Sequence, residues 1–246
     1  MNELDELTGS VNADGRETNV INRQMLVETG PEALIFQISI WVAPLILISL
    51  IWMLGLVPTT YGILYVLAGL LPGVVFEVMK VNALAYLRKL QQKIQADASQ
   101  IDNYLEQRVI ILNNVSGILG KAIDLDKDVM KTVAAYRGSS GPAGDIKRNA
   151  TSREIDGIYS RVRVAFEAYP DLRAHAAIAD AMQQNSYLQK EITAARTLYN
   201  DTVAQWNQDI FAWPTKQIVA ARNKYTTRIP FTAAAGIKAT ARSTFF

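Results

Sequence analysis

Arg196, Tyr199, Asn200 and Asn207 recur at helical spacing, so on one helix they form a single polar stripe. Asp102 and Arg108, on a helix packed opposite, are in a position to meet that stripe and fix the register between the two. Setting register is the simpler use of such residues, and holding a ligand or partner is the alternative. Catalysis has little to draw on. The one histidine, His175, lies in an alanine-rich helical stretch, with no cysteine in the chain and no carboxylate pair at metal-ligand spacing. Neither a phosphate-cradling glycine loop nor a nucleophile elbow is present. The expectation is a protein without catalytic residues, metal, cofactor or small-molecule substrate.

The elements that must position the stripe are long helices. Apolar residues recur three or four apart through Leu84, Leu87, Leu90, Ile94, Ile101, Leu105, Leu112, Val115 and Leu119, with no proline between Phe76 and Arg137. The spacing approaches a coiled-coil seam, which Asp97, Arg108 and Asp126 weaken. Unbroken, a helix of about 60 residues reaches roughly 90 Å. Residues 138–150, rich in Gly and Ser with one Pro, read as a linker. Thr151 and Glu154 then form a capping-box pattern, and the helix they open runs to Tyr169 and stops at Pro170. A third helix continues from Asp171 to Trp213-Pro214. Burying three such stripes calls for an antiparallel bundle over 80–214, and the fold class expected is all-α.

Ahead of the bundle lies a nearly charge-free stretch, 33–79. A helix needs roughly 20 apolar residues to cross a hydrocarbon core ~30 Å thick. The run from Ala33 to Val57 exceeds this. The run from Thr60 to Met79 just meets it, interrupted by Gly62, Gly69, Pro72 and Gly73. With Pro58-Thr59-Thr60 as the turn, the pair reads as a transmembrane hairpin. One spanning segment with one re-entrant element, or a soluble hairpin sealing Leu45 and Leu67 in a core, are the alternatives. Pro44 is expected to kink the first helix. Arg16 and Arg23 precede the pair, no Lys or Arg lies inside it, and Lys80, Arg88, Lys89 and Lys93 follow, which favours a cytoplasmic bundle.

The even composition, 50% hydrophobic with a net charge of +2, hides uneven ends. Residues 1–32 are acidic and glycine-containing and read as a mobile tail, with a short helix around Thr18–Val27 as an option, and nothing in them resembles a signal peptide. Residues 215–246 carry Lys216, Arg222, Lys224, Arg228, Lys238 and Arg242 with no acid, interleaved with Tyr225, Phe231, Phe245 and Phe246. Read as a basic aromatic tail, they and Lys80, Arg88, Lys89 and Trp213 suit an anionic lipid surface. A tail without specific contacts is the plainer alternative, and nucleic acid is not expected as a partner.

Three segments carry a family resemblance. Ser99-Gln100-Ile101-Asp102 with Leu105, Arg108, Ile111 and Asn113-Asn114-Val115 resembles the first signature of the LemA family. Glu191-Ile192 with Ala195-Arg196, Tyr199-Asn200, Val203, Trp206-Asn207 and Phe211-x-Trp213-Pro214 resembles the second, and Tyr169-Pro170-Asp171-Leu172 the step between. Ala98, Ile110 and Asn113 depart from the usual pattern, as does a second hydrophobic segment, which points to a divergent branch. The resemblance implies a bacterial, membrane-anchored antiparallel bundle without established enzymatic activity. Its magnetosome-associated members are linked to building an intracellular membrane compartment, a branch that a hairpin beside a basic aromatic tail suits. The reading is a scaffold that organises or remodels the cytoplasmic membrane or one derived from it. It would work through the bilayer and through self-association or other membrane proteins. A tethered adaptor for a soluble partner, or an accessory subunit of a transporter packing on Gly62, Gly69 and Gly73, are the alternatives.

Overall fold

The computed structural model describes residues 11–12, 15–16, 23–56, 58–119, 150, 157, 164 and 176–231. The fold is all-α. Its elements are two paired two-residue strands (Val11–Asn12 and Gly15–Arg16), helix α1 (Pro31–Met53), a 3₁₀ turn (Thr59–Tyr61), α2 (Gly62–Leu119), α3 (Ala176–Asp209) and α4 (Thr215–Arg222). The 138–150 linker apart from Ala150, the capping box at Thr151, Pro170 and His175 lie outside the described residues.

Helix α1 begins at Pro31, where a missing N–H costs nothing, and Glu32 reaches back to accept the Gly30 N–H at 2.9 Å. It continues through Pro44 and ends in a Schellman motif. Gly55 takes φ +68°, its N–H bonds the Trp52 carbonyl, and the Leu56 N–H bonds that of Ile51. The turn therefore starts at Gly55, ahead of the Pro58-Thr59-Thr60 expected to make it.

Gly62, Gly69, Pro72 and Gly73 do not interrupt the second run. It is the first part of α2, a single helix of 58 residues, about 87 Å at 1.5 Å per residue. Two of these glycines have another use. A Cβ at Gly69 would lie 2.9 Å from Leu45 Cδ2 and from Ile48 Cδ1, and one at Gly73 would overlap the Trp41 indole. Both let α1 pack closely against α2 of the same chain, so neither is open to a transporter partner. Leu67 is 59% exposed and Leu45 half-buried, so a sealed soluble hairpin does not describe this pair.

Two compact units share the long helices, and each stands on its own contacts. The first, chiefly 92–204 with 228–231 among the described residues, has a core of Ile94, Ala98, Ile101, Leu105, Val109, Leu188, Ile192, Ala195, Tyr199 and Val203. Both stripes carry the three-and-four spacing that the sequence displays.

The second unit spans 24–91 and 205–227. Ala33, Phe76 and Ile218 form a small core, with Phe36 and Ile40 against it. Residues 24–30 are extended rather than helical. Leu26 bridges Thr226, Val27 N–H bonds Tyr225 O at 3.0 Å, and Thr227 N–H bonds Met25 O at 2.9 Å. As far as Phe231, the expected basic tail is folded. Ile218, Val219 and Ala220 on α4, and Ile229 after it, bury apolar surface that the neighbouring cations mask in the sequence.

Candidate functional site

Three of the motif residues gather around one side chain, Phe231. Arg196, Tyr199 and Asn200 fall within one turn and a half of α3, which brings a guanidinium, an aromatic edge and a carboxamide together. The Tyr199 and Phe231 rings meet edge to face at 5.1 Å, and the Arg196 guanidinium lies 5.6 Å from the Phe231 centroid. Asn200 supplies the directional part. Its Nδ2 donates to the Phe231 carbonyl at 3.1 Å, and its Oδ1 accepts the Phe231 N–H at 2.8 Å. One carboxamide thereby pairs with both backbone groups of an extended residue, as a neighbouring strand would. No local pattern points to Phe231 as the partner, since 31 residues separate it from Asn200.

Arg108 is 1% exposed, and its Nε donates to Asn185 Oδ1 at 2.8 Å. Asn185, fully buried on the apolar face of α3, is the register partner that the polar stripe does not include. A lone asparagine on an apolar stripe is the signal for it. Its Nδ2 and the Gln189 Oε1 one turn on are buried without a hydrogen-bond partner among the described residues. Asp97 accepts from Thr202 Oγ1 at 2.7 Å, which satisfies the acid that interrupts the seam. Asp102 is half-buried, Asn114 exposed and Asn207 half-buried in the second unit. Glu191 is half-buried beside Tyr187, and its negative charge raises the Tyr187 phenol above its ordinary range.

The expected lipid-contact residues divide into paired and exposed sets. Lys80 pairs with Glu77 at 2.6 Å, donates to Gln37 Oε1 at 3.3 Å and sits 5.3 Å from the Phe76 centroid. Lys216 bonds Asp209 and lies 4.5 Å from the Tyr86 ring centroid. Tyr86 completes this lock, donating to Asp209 Oδ2 at 2.7 Å while Gln205 Nε2 donates to its oxygen at 2.7 Å. The bond to Asp209, then burial and the Asp209 charge, raise the Tyr86 phenol above its ordinary value, against the opposing charge of Lys216. Arg88, Lys89, Arg222 and Lys224 are exposed. Arg228 is buried, so it is not a lipid contact. Trp213 is 48% exposed, with its ring 5.4 Å from Phe36, which meets Phe76 edge-on at 5.7 Å. Lys238 and Arg242 lie outside the described residues.

Among the described residues no three His, Cys, Asp or Glu side chains converge as metal ligands. What the two clusters can do is hold segments together: a backbone clamp in the first unit, an ion-pair lock in the second.

These features define a membrane-associated, all-helical class of protein with long amphipathic helices behind apolar ones. The chain belongs to the LemA family, whose model matches residues 97–245. That is not a known enzyme family. No curated protein matches the chain.

Proposed function

We propose that this protein is a non-enzymatic, membrane-anchored scaffold that organises or remodels a bacterial membrane, its α1–α2 hairpin crossing the bilayer twice. The observation carrying this is the pairing of Met25 and Val27 with Thr227 and Tyr225, in the unit where Tyr86 bonds Asp209. The lead-in to α1 and the stretch of α2 beyond its apolar part are thereby gathered with residues 205–227. Such a closed base needs an even number of crossings between its two ends.

The lengths agree. Exposed apolar side chains run from Leu34 to Met53 on α1 and from Ile63 to Val81 on α2. These runs cover about 28 Å and about 27 Å, against ~30 Å of hydrocarbon. Two adjacent helices with that much apolar surface are costly in water, at about 25 cal/mol per Å², and free of that cost in lipid. Cations on the base, and none in the turn, favour a cytoplasmic base on the cell's inner membrane or a compartment derived from it. Membership of the magnetosome-associated branch is consistent with a hairpin anchor and is the narrowest form of the proposal. An adaptor function would lean on Tyr187 and Leu198, both exposed on one face of α3 three turns apart.

The chain lacks cysteine, so single-cysteine variants at Gln24, Thr60 and Arg222 report topology directly. With an impermeant maleimide on sealed vesicles, Gln24→Cys and Arg222→Cys should label from one face and Thr60→Cys from the other. Labelling of positions 24 and 222 from opposite faces would rule out the hairpin.

A further inference from the structure

The hairpin is not symmetric about the bilayer midplane. Resting on the two-crossing reading above, we propose that Trp213 and the start of α4 form a third lipid-embedded element. It lies in the leaflet at the base of the hairpin and makes the anchor a one-leaflet wedge.

The depth of the contacts carries this. Taking Leu34 on α1 and the ion pair of half-exposed Glu77 with Lys80 on α2 as the lower edge of the lipid-facing surface, Phe36 lies about 3 Å inside it and Phe76 just inside it. Trp213 packs on Phe36 at 5.4 Å, and Ile218 is buried with Phe76 and Ala33. A group packed against residues at that depth occupies space that acyl chains would otherwise fill. Nearly half of the Trp213 surface remains outward, an amphipathic ring at the level where such rings favour the interface. At the turn end, Gly55 and Gly62 have nothing among the described residues within 4 Å of a built Cβ, and Trp52, Met53, Leu54 and Leu56 are exposed. Two helices enter that leaflet, and two helices plus a wedge enter the other.

The wedge works by volume and not by headgroup charge. Lys80 and Lys216, the cations nearest to it, are taken up by Glu77 and Asp209. Arg88, exposed, stands about 10 Å beyond Val81 along the helix axis. The partner surface is therefore the hydrocarbon edge of a convex leaflet, whatever its headgroups, in line with the curvature sensitivity of interfacial elements.

The test uses the full chain reconstituted in neutral phosphatidylcholine vesicles, spin-labelled at single cysteines introduced as Leu47→Cys, Ala212→Cys, Trp213→Cys and Arg222→Cys. Oxygen should dominate collisional relaxation at 47, 212 and 213, and a water-soluble nickel chelate at 222. In a competition between small and large vesicles, protein with its base outward should be enriched severalfold on the small ones. Trp213→Ala should abolish that enrichment, and Trp213→Phe, which keeps a ring against Phe36, should retain it. Nickel access at 212 and 213 with 47 still in lipid would overturn the wedge and leave the hairpin standing. Nickel access at 47 would overturn the hairpin and the wedge with it. Lipid burial at 213 without curvature preference, or a preference that appears only with anionic lipid, would also overturn the wedge.

Discussion

Replacing Asn200 by alanine should release the backbone at Phe231 while leaving helix α3 intact. The carboxamide makes two hydrogen bonds to one residue, at 3.1 and 2.8 Å, in a partly buried setting. Each bond is worth about 1 kcal/mol net, and a backbone group left without a partner costs about 1–3 kcal/mol. Because water can reach part of this site, we take about 2 kcal/mol, at the low end of the sum. Every 1.4 kcal/mol is tenfold, so local opening at Phe231 should rise about 30-fold. Hydrogen exchange of the full chain in detergent reads this directly, because the Phe231 amide is itself one of the donors. Alanine is a good helix former, so amides in the middle of α3 should keep their protection. Asn200→Asp should be intermediate, keeping the acceptor for the Phe231 N–H while turning its second oxygen against the carbonyl. Unchanged exchange at Phe231 in the alanine variant would refute the clamp, and so would an equal loss of protection along all of α3.

Three further outcomes follow from the packing. Gly73→Leu should push α1 from α2 and cost about 1–3 kcal/mol by overpacking against Trp41, seen as a shift in tryptophan emission. Gly62→Leu, with no described neighbour within 4 Å, should leave the emission unchanged. Lys224 holds φ 54° in the Schellman end of α4, where the Tyr225 N–H bonds Ala220 O at 3.0 Å. Lys224→Gly should therefore stabilise the protein by about 1 kcal/mol, and Lys224→Val should destabilise it, in thermal unfolding in detergent. Finally, the Tyr86 phenol is raised above its ordinary value of 10.0 in the folded state. Its contribution to stability is then fully present below pH 10.0 and lost as pH rises through the raised value. Tyr86→Phe should flatten that alkaline part of the denaturation profile, and an unchanged profile would show that the lock with Asp209 contributes nothing.

The parts legible from sequence are those whose signal is local. Apolar length marked the two helices that carry exposed apolar side chains, and three-and-four spacing marked Leu87, Leu90, Ile94, Ile101 and Leu105, all buried. Asp97 and Arg108 looked like flaws in that seam because their partners, Thr202 and Asn185, sit on another helix. Asn200 was recognisable as a motif residue, but its task was not, because a side chain that reads backbone leaves no residue-type pattern on its partner. The stretch from Thr215 to Phe231 was the least legible. Its cations suggested a solvated tail, whereas Lys216 is neutralised by Asp209 and the apolar residues between the charges are buried. Glycines at 69 and 73 looked like helix breakers because propensity does not record what lies opposite, and here that is Trp41, Leu45 and Ile48.

The bond from Met25 N–H to Thr227 Oγ1 joins residues 202 positions apart. At roughly 5–20 residues per second, a ribosome delivers the second partner about 10–40 s after the first. Over that interval the greasy hairpin has left the tunnel while its base has nothing to close on. If the hairpin crosses the bilayer as proposed, early lodging and late fastening are separate events in the life of each new copy, and a chain cut short of Thr227 would be moored but never tied.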